Sequence, residues 1–226
     1  MSWRTVRGRT RSTALLAVML TACSGGEDGG AAGGGAPDAS GGVESFVEPF
    51  RVEFVTSAGT FEVEFVPEWS PVAVERVRDL VENGFWQGAR FYRVNDQYAQ
   101  FGYSGRPALD AEWIEAGLPD EPARSSNVRG AVSFARGGPG SRGAILFINR
   151  VDNTHLDDLE WRGVLGFPPV GRVVSGMDVV DALHGGYGEE TMEWEDSIAT
   201  VGNAFLERAY PELDSITGVR LVAKGN

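Results

Sequence analysis

Polar and apolar residues alternate in residues 51–55 (R-V-E-F-V) and 61–65 (F-E-V-E-F), on either side of T-S-A-G-T. That period of two predicts a β-hairpin with one wet and one buried face. The period then changes. Ser70-Pro71 reads as a helix N-cap with proline at the first helical position, and Val74, Val77, Leu80 and Val81 recur on one helical face until Gly84 ends it. Strand character returns from Phe85-Trp86 to Val94. Residues 130–149, G-A-V-S-F-A-R-G-G-P-G-S-R-G-A-I-L-F-I-N, predict two strands around an exposed Gly/Pro-rich loop. A second short helix is expected over residues 177–184, ended by Gly185-Gly186, and residues 216–222 alternate well enough for a closing strand. Residues 106–129, with Pro107, Trp113, Pro119 and Pro122, read as a long irregular connection of the kind that is often functional, and residues 187–215 as a peripheral segment. Hairpins dominate, helices are few and no repeat is visible, so the chain is predicted to be mainly β, a barrel or sandwich with helical plugs.

The N-terminus departs from this pattern. Residues 1–22 carry Arg4, Arg7, Arg9 and Arg11 and no acid, followed by the apolar run A-L-L-A-V-M-L, too short to span a membrane as a helix and laid out like a secretory signal. The next residues, Leu20-Thr21-Ala22-Cys23, resemble a bacterial lipobox, which implies cleavage before Cys23 and acyl chains attached through its sulfur. Residues 23–44, rich in Gly, Ala, Ser, Asp and Pro, read as a flexible tether, and residues 45–226 as one folded domain. Ser24 after the cysteine leans toward the outer membrane, so the expected place is the cell envelope, outside the cytoplasm. Cys23 is the only cysteine, which leaves the domain without a disulfide framework. The 226 residues, 42% of them hydrophobic, suffice for one domain with a sizeable core. The chain carries a formal charge of −12, and loss of the four leader arginines takes it to about −16, a surface that opposes nucleic acid and anionic headgroups. Attachment to a membrane would therefore come from acyl chains on Cys23.

Residues 130–149 resemble the cyclophilins, the peptidyl-prolyl cis/trans isomerases, whose pattern here is close to S-M-A-x-x-G-P-x-S-x-G-S-Q-F-F-I. Phe91-Tyr92-Arg93-Val94 is similar to the family's F-H-R-V/I, and residues 171–180, G-R-V-V-S-G-M-D-V-V, to its F-G-x-V-x-x-G-M-x-V-V. The resemblance implies a closed antiparallel β-barrel of about eight strands with a helix over each mouth, acting as a monomer on proline-containing polypeptides without a metal or cofactor. It places Arg93 as the catalyst. Phe147 and Leu156 are implied in the proline pocket, and Ala135 and Arg136 in the strip that binds the peptide backbone.

Several positions depart from the family. Arg93 to Gln100 is seven residues, one fewer than usual, so either Gln100 keeps its substrate-binding role or Phe101 stands there instead. The two registers expose opposite sets of side chains. Tyr98 is expected near the pocket in both. Ile145 replaces a glutamine that hydrogen-bonds the substrate backbone, His155 falls where the best-known members carry tryptophan, and the family's later histidine is replaced near Phe167. One lost hydrogen bond is worth about 0.5–1.5 kcal/mol, so a weakened isomerase is expected rather than a dead one. The alternative is a proline-binding module or chaperone with little turnover. His155 with Asp157 and Asp158 suggests neither a metal site nor a catalytic triad, because the chain has two histidines and no nucleophile-elbow motif. The loop Gly137-Gly138-Pro139-Gly140 lacks the Lys-Ser/Thr of a phosphate loop.

Overall fold

The computed structural model describes residues 48–223. The expected signal segment 1–22, Cys23 and the tether 23–44 lie outside the described residues. The predicted hairpin is present and slightly longer than the alternation implied. β1 (Phe50–Thr56) and β2 (Gly59–Phe65) pair antiparallel, with Phe50 opposite Phe65 and Phe54 opposite Phe61. Those inward rings stack at 5.6 and 5.1 Å. The Thr56 hydroxyl closes the turn, donating to the Gly59 carbonyl at 2.8 Å and accepting from the Ala58 amide at 3.1 Å.

α1 (Pro71–Glu82) buries Val74, Val77, Leu80 and Val81, as their spacing requires. Ser70 stands at the N-cap position, but its hydroxyl caps nothing and donates instead to Glu121 at 2.6 Å. The Glu121 carboxylate accepts from the Val72 and Ala73 amides at 2.9 and 3.2 Å, and pairs with buried Arg142 at 3.0 Å. A residue of the long connection thus serves the helix's unpaired amides and is itself held by charge.

The remaining elements follow as β3 (Arg93–Val94), β4 (Tyr98–Phe101), α2 (Pro107–Glu115), β5 (Ala131–Phe134), β6 (Leu146–Asn149), β7 (Glu160–Trp161), β8 (Val164–Leu165), β9 (Pro169–Ser175), α3 (Met177–Ala182), α4 (Glu195–Val201), α5 (Asn203–Ala209) and β10 (Ile216–Val222). Eight strands form one antiparallel sheet in the order β10-β1-β2-β9-β5-β6-β4-β3, and β7 and β8 form a separate hairpin. The expected barrel is a curled sheet whose two ends meet along a short seam. There Arg90 bridges Ser215, the Phe91 amide reaches the Asp214 carbonyl at 3.0 Å, and the Ile216 amide reaches Ala89 at 2.8 Å. The curl encloses Phe54, Phe61, Trp86, Phe91 and Phe101, whose neighbouring rings lie 5.1–6.4 Å apart in mostly tilted or edge-on pairs. The Trp86 indole donates to the Ala144 carbonyl at 3.1 Å.

Two expectations about helices are corrected. The connection 106–129 contains α2, because Pro107 opens a helix at its first position rather than breaking one, and Leu109, Trp113 and Ile114 pack against the main core. The segment 187–215 is not peripheral. Its Ile198, Leu206, Tyr210 and Leu213 form a second apolar cluster with Tyr92 and Tyr103. Phe91 and Tyr92, adjacent in an extended chain, face opposite sides and so serve the two cores.

Polar side chains hold the loops at the open side of the sheet. Buried Asn127 accepts from Ser133 at 2.8 Å and Asn149 at 3.2 Å, and donates to the Phe167 carbonyl at 2.9 Å and to Asp157 at 2.8 Å. Asp157 also accepts from the Asn127 amide at 2.8 Å and from the Ser126 hydroxyl. Burial pushes the Asp157 carboxyl up, but these hydrogen bonds, with His155 nearby, outweigh it and hold the group below its ordinary range.

Removing the Phe54 ring should cost about 3–5 kcal/mol in denaturant unfolding of Phe54→Ala, and a loss below about 1 kcal/mol would show that the aromatic cluster collapses into the gap. Because Asp157 has a lower pKa folded than unfolded, its ionised form stabilises the fold above the unfolded value, about 3.9, and that contribution disappears as pH falls through the folded value. The difference in unfolding midpoint between wild type and Asp157→Asn should therefore be full at neutral pH and shrink below about pH 4. A difference that stays constant with pH would mean that the carboxylate's charge does not matter.

Candidate active site

A cavity of about 690 Å³ opens where β4, β6, the turn after β5 and the β7–β8 hairpin come together. Its floor is set by two cross-strand pairs that share Gln100. Arg93 on β3 lies opposite Gln100 on β4, and Gln100 lies opposite Phe147 on β6. The Arg93 Nη1 donates to Gln100 Oε1 at 3.2 Å, and Nη2 donates to the Tyr98 hydroxyl at 2.8 Å while the guanidinium lies 4.6 Å from the Tyr98 ring centre. Gln100 in turn donates to the Tyr92 hydroxyl at 2.6 Å. The open question of register is thereby decided for Gln100. Phe101, at 1% exposure, faces the core between Phe54, Trp86 and Phe91, so the residue missing from the family's spacing comes out of the turn after Val94.

Phe147, 5% exposed, forms the apolar wall, edge-on to Phe167 at 6.1 Å and tilted against Tyr98 at 5.8 Å. Leu156, on the 3₁₀ turn Thr154–Leu156, lines the same cavity, as do Ala135 and Arg136. The Arg136 guanidinium lies 4.5 Å over the Phe167 ring and donates to the Val164 carbonyl at 3.0 Å. Arg93, Tyr98, Gln100, Ala135, Arg136, Phe147 and Leu156 are therefore brought together. His155 is not. Its side chain is exposed and outside the cavity lining, because the tight turn that aims Leu156 inward sends its neighbour toward solvent.

Other lining groups were not foreseen in the sequence. Leu159, Trp161 and Arg162 come from the β7–β8 hairpin and its approach, Tyr103 and Ile114 from around α2, and Met192 and Glu195 from the C-terminal segment. The two turn glycines, Gly163 and Gly166, that follow the aromatic residue in E-W-R-G-V-L-G are the only local signal for the hairpin. Ile145 lines the cavity as an apolar residue.

Electrostatically the floor is dominated by Arg93. Its Nε lies 2.9 and 2.8 Å from the two carboxylate oxygens of Glu189, and Nη2 lies 2.7 Å from Oε2. Burial lowers the guanidinium's pKa, but Glu189 and Tyr98 outweigh it and hold Arg93 above the ordinary arginine range. Burial raises Glu189 in turn, while its bonds to Arg93 and Asn95 hold it below the usual carboxylate range. The ion pair is therefore charged on both sides throughout the neutral range. Among the described residues no three His, Cys, Asp or Glu side chains come together as a metal site. A permanently charged planar donor beside an aromatic-walled hollow suits a neutral, partly apolar ligand that gains a lone pair during reaction.

Comparison with known proteins points the same way. A family model described as cyclophilin type peptidyl-prolyl cis-trans isomerase/CLD matches residues 51–203. The chain is 30% identical over 134 residues to a peptidyl-prolyl cis-trans isomerase of Acinetobacter baylyi, covering 58% of this chain and 70% of that one. It is also 30% identical over 140 residues to peptidyl-prolyl cis-trans isomerase B of Escherichia coli, covering 59% and 84%. The fold matches a crystal structure of a Cryptosporidium parvum cyclophilin type isomerase with a TM-score of 0.57 at 15% identity, over 79% of this chain and all of that one. The sheet order, the motif residues around Arg93 and Phe147, and these relatives together make the chain a member of the cyclophilin-type peptidyl-prolyl cis-trans isomerases and an isomerase of that kind.

Proposed function

We propose that Arg93 is the electrostatic catalyst of this isomerase and that Phe147, Leu156 and Phe167 hold the proline ring of a polypeptide substrate. Rotation about an X-Pro bond breaks amide resonance at a cost of roughly 18–20 kcal/mol, and no bond to an enzyme group is needed to lower it. In the twisted state the imide nitrogen becomes pyramidal and gains a lone pair. A donor already aimed at that nitrogen stabilises the twisted state over either planar one. The observation that carries this reading is the placement of the Arg93 guanidinium in the lining of the cavity walled by Phe147, where it bonds Gln100 and Tyr98. The aromatic wall favours the ring, and the cation sits beside it where the nitrogen turns.

Tyr98, Gln100, Ala135 and Arg136 complete the surface that meets the peptide. Ile145 offers no amide to the substrate backbone, and His155 faces away, so turnover is expected to be several-fold to about tenfold below that of a member keeping the glutamine.

The substrates are X-Pro bonds of exported proteins, and the domain works at the cell envelope on a lipid anchor. Support comes from the order of the N-terminal sequence: an arginine-rich start, an apolar run, Leu20-Thr21-Ala22-Cys23, and the Gly-rich residues 24–44 that join the anchor to the domain. The net negative charge disfavours binding to anionic headgroups, which leaves the acyl chains to hold the protein.

In protease-free NMR exchange with a proline peptide, Arg93→Ala should lower the rate on the order of 10²- to 10³-fold with little change in melting temperature. Equal rates would remove Arg93 from the catalytic role. Cys23→Ser should move the protein from the membrane fraction to the soluble one, and unchanged partition would rule out the anchor.

A further inference from the structure

Residues 185–190, G-G-Y-G-E-E, carry Glu189 from the segment beyond α3 back to the floor of the cavity. Its placement is over-determined. Gly188, at φ +52°, turns the chain, the Gly188 amide bonds Gly185 at 3.1 Å, and the Glu190 amide bonds Tyr187 at 3.0 Å. Tyr187 packs edge-on against Tyr210 at 5.0 Å, and the Thr191 hydroxyl bonds the carbonyl of Tyr92, next to Arg93. A second group holds the carboxylate itself. Asn95 donates to Glu189 Oε1 at 2.5 Å, and its own side-chain oxygen accepts from the Gln97 and Tyr98 amides at 2.9 Å each, so its side-chain amide nitrogen is turned toward Glu189.

The donors of Arg93 can be assigned one by one. A guanidinium has five N–H groups. Nε and one Nη2 hydrogen go to Glu189, the other Nη2 hydrogen to Tyr98, and one Nη1 hydrogen to Gln100. The second Nη1 hydrogen has no partner among the described residues. Glu189 grips the outer edge of the guanidinium, and the unpartnered donor is on the nitrogen that already bonds Gln100 in the cavity lining.

We propose that Glu189 is a positioning residue for the isomerisation: it clamps the Nε–Nη2 edge of Arg93 so that Nη1 is presented to the twisting imide. The inference rests on Arg93 as the catalyst. Without the clamp the guanidinium keeps Tyr98 and Gln100 but gains freedom about its Cδ–Nε bond, and a catalytic group that must be reoriented in each turnover loses part of its advantage. The pair lies at the surface, with Glu189 56% and Arg93 22% exposed, so its share of folding stability is small and its removal is readable in kinetics.

Kinetics of Glu189→Ala, Glu189→Gln, Arg93→Ala and the double variant Arg93→Ala/Glu189→Ala test this. Glu189→Ala should lower kcat about five- to tenfold with KM and melting temperature nearly unchanged. Glu189→Gln, whose carbonyl can still accept from Nε, should recover part of the loss. In the Arg93→Ala background the loss of Glu189 should have no further effect. An unchanged or raised kcat in Glu189→Ala would overturn the clamp, a raised one by showing that the carboxylate competes with substrate for the guanidinium. An equal loss in the Arg93→Ala background would also overturn it, because the effect would then not act through Arg93. If Arg93→Ala itself left the rate intact, the catalytic reading of Arg93 and the clamp would fall together. A loss in Arg93→Ala without one in Glu189→Ala would remove the clamp alone.

Discussion

The burial of Phe101 among Phe54, Trp86 and Phe91 is the contact on which the site depends. Side chains along a strand alternate between faces, so a phenylalanine committed to the core commits its neighbour Gln100 to the other face, opposite Arg93 and Phe147. A slip of one residue would bury the Gln100 amide in an aromatic cluster, at about 1–3 kcal/mol for an unpaired polar group, and expose a large ring. Gly102 completes the constraint. Its φ is +147° and a Cβ there would lie 2.3 Å from the Ile145 Cα, so no other residue lets β4 leave so close to the start of β6. The aromatic core thus fixes which side chains face the cavity.

The walls of the cavity are held differently from its floor. Leu156 and Phe167 sit on irregular chain that no ladder supports, and they are kept in place by the buried amides and carboxylate around Asn127. Each polar group there has a partner, which is the condition for burying it without penalty. The β7–β8 hairpin is a looser part. Trp161 is 44% exposed while lining the cavity, and the hairpin is joined to the loop after β5 by Arg162 donating to the Gly137 carbonyl at 2.9 Å and by Arg136 bonding Val164. The floor is thus a continuous strand ladder, while the hairpin wall is joined to its neighbour by these side-chain bonds.

The surroundings of Arg93 come from three distant stretches: its own hairpin with Tyr98 and Gln100, the apolar wall of β6, and the C-terminal segment with Glu189. A protein of net charge −12 therefore carries a cation in the lining of its cavity, because local pairing and not the global charge sets the field at a half-buried group.

Much of this is readable in the amino-acid chain itself. Alternation in residues 51–65 gave the hairpin, a 3.6-residue spacing gave α1, and the motifs around Arg93 and residues 130–149 pointed to the family, because each is a local pattern of neighbouring residues. What local pattern could not reach was any contact whose partners lie far apart. Ser70 has the right identity for a cap yet the capping carboxylate is Glu121, and α2 hid behind a proline that reads equally as breaker or starter. The acid-rich segment after residue 187 gives no sign in its own composition that it supplies a second core around Tyr92 and a carboxylate to Arg93. Sequence alone determined the identities and periods, and with them the sheet, the first helix and the candidate cation. Only the tertiary structure decided the register between Arg93 and Gln100, the exclusion of His155 and the arrival of Glu189, since these follow from which surfaces the folded chain buries against one another.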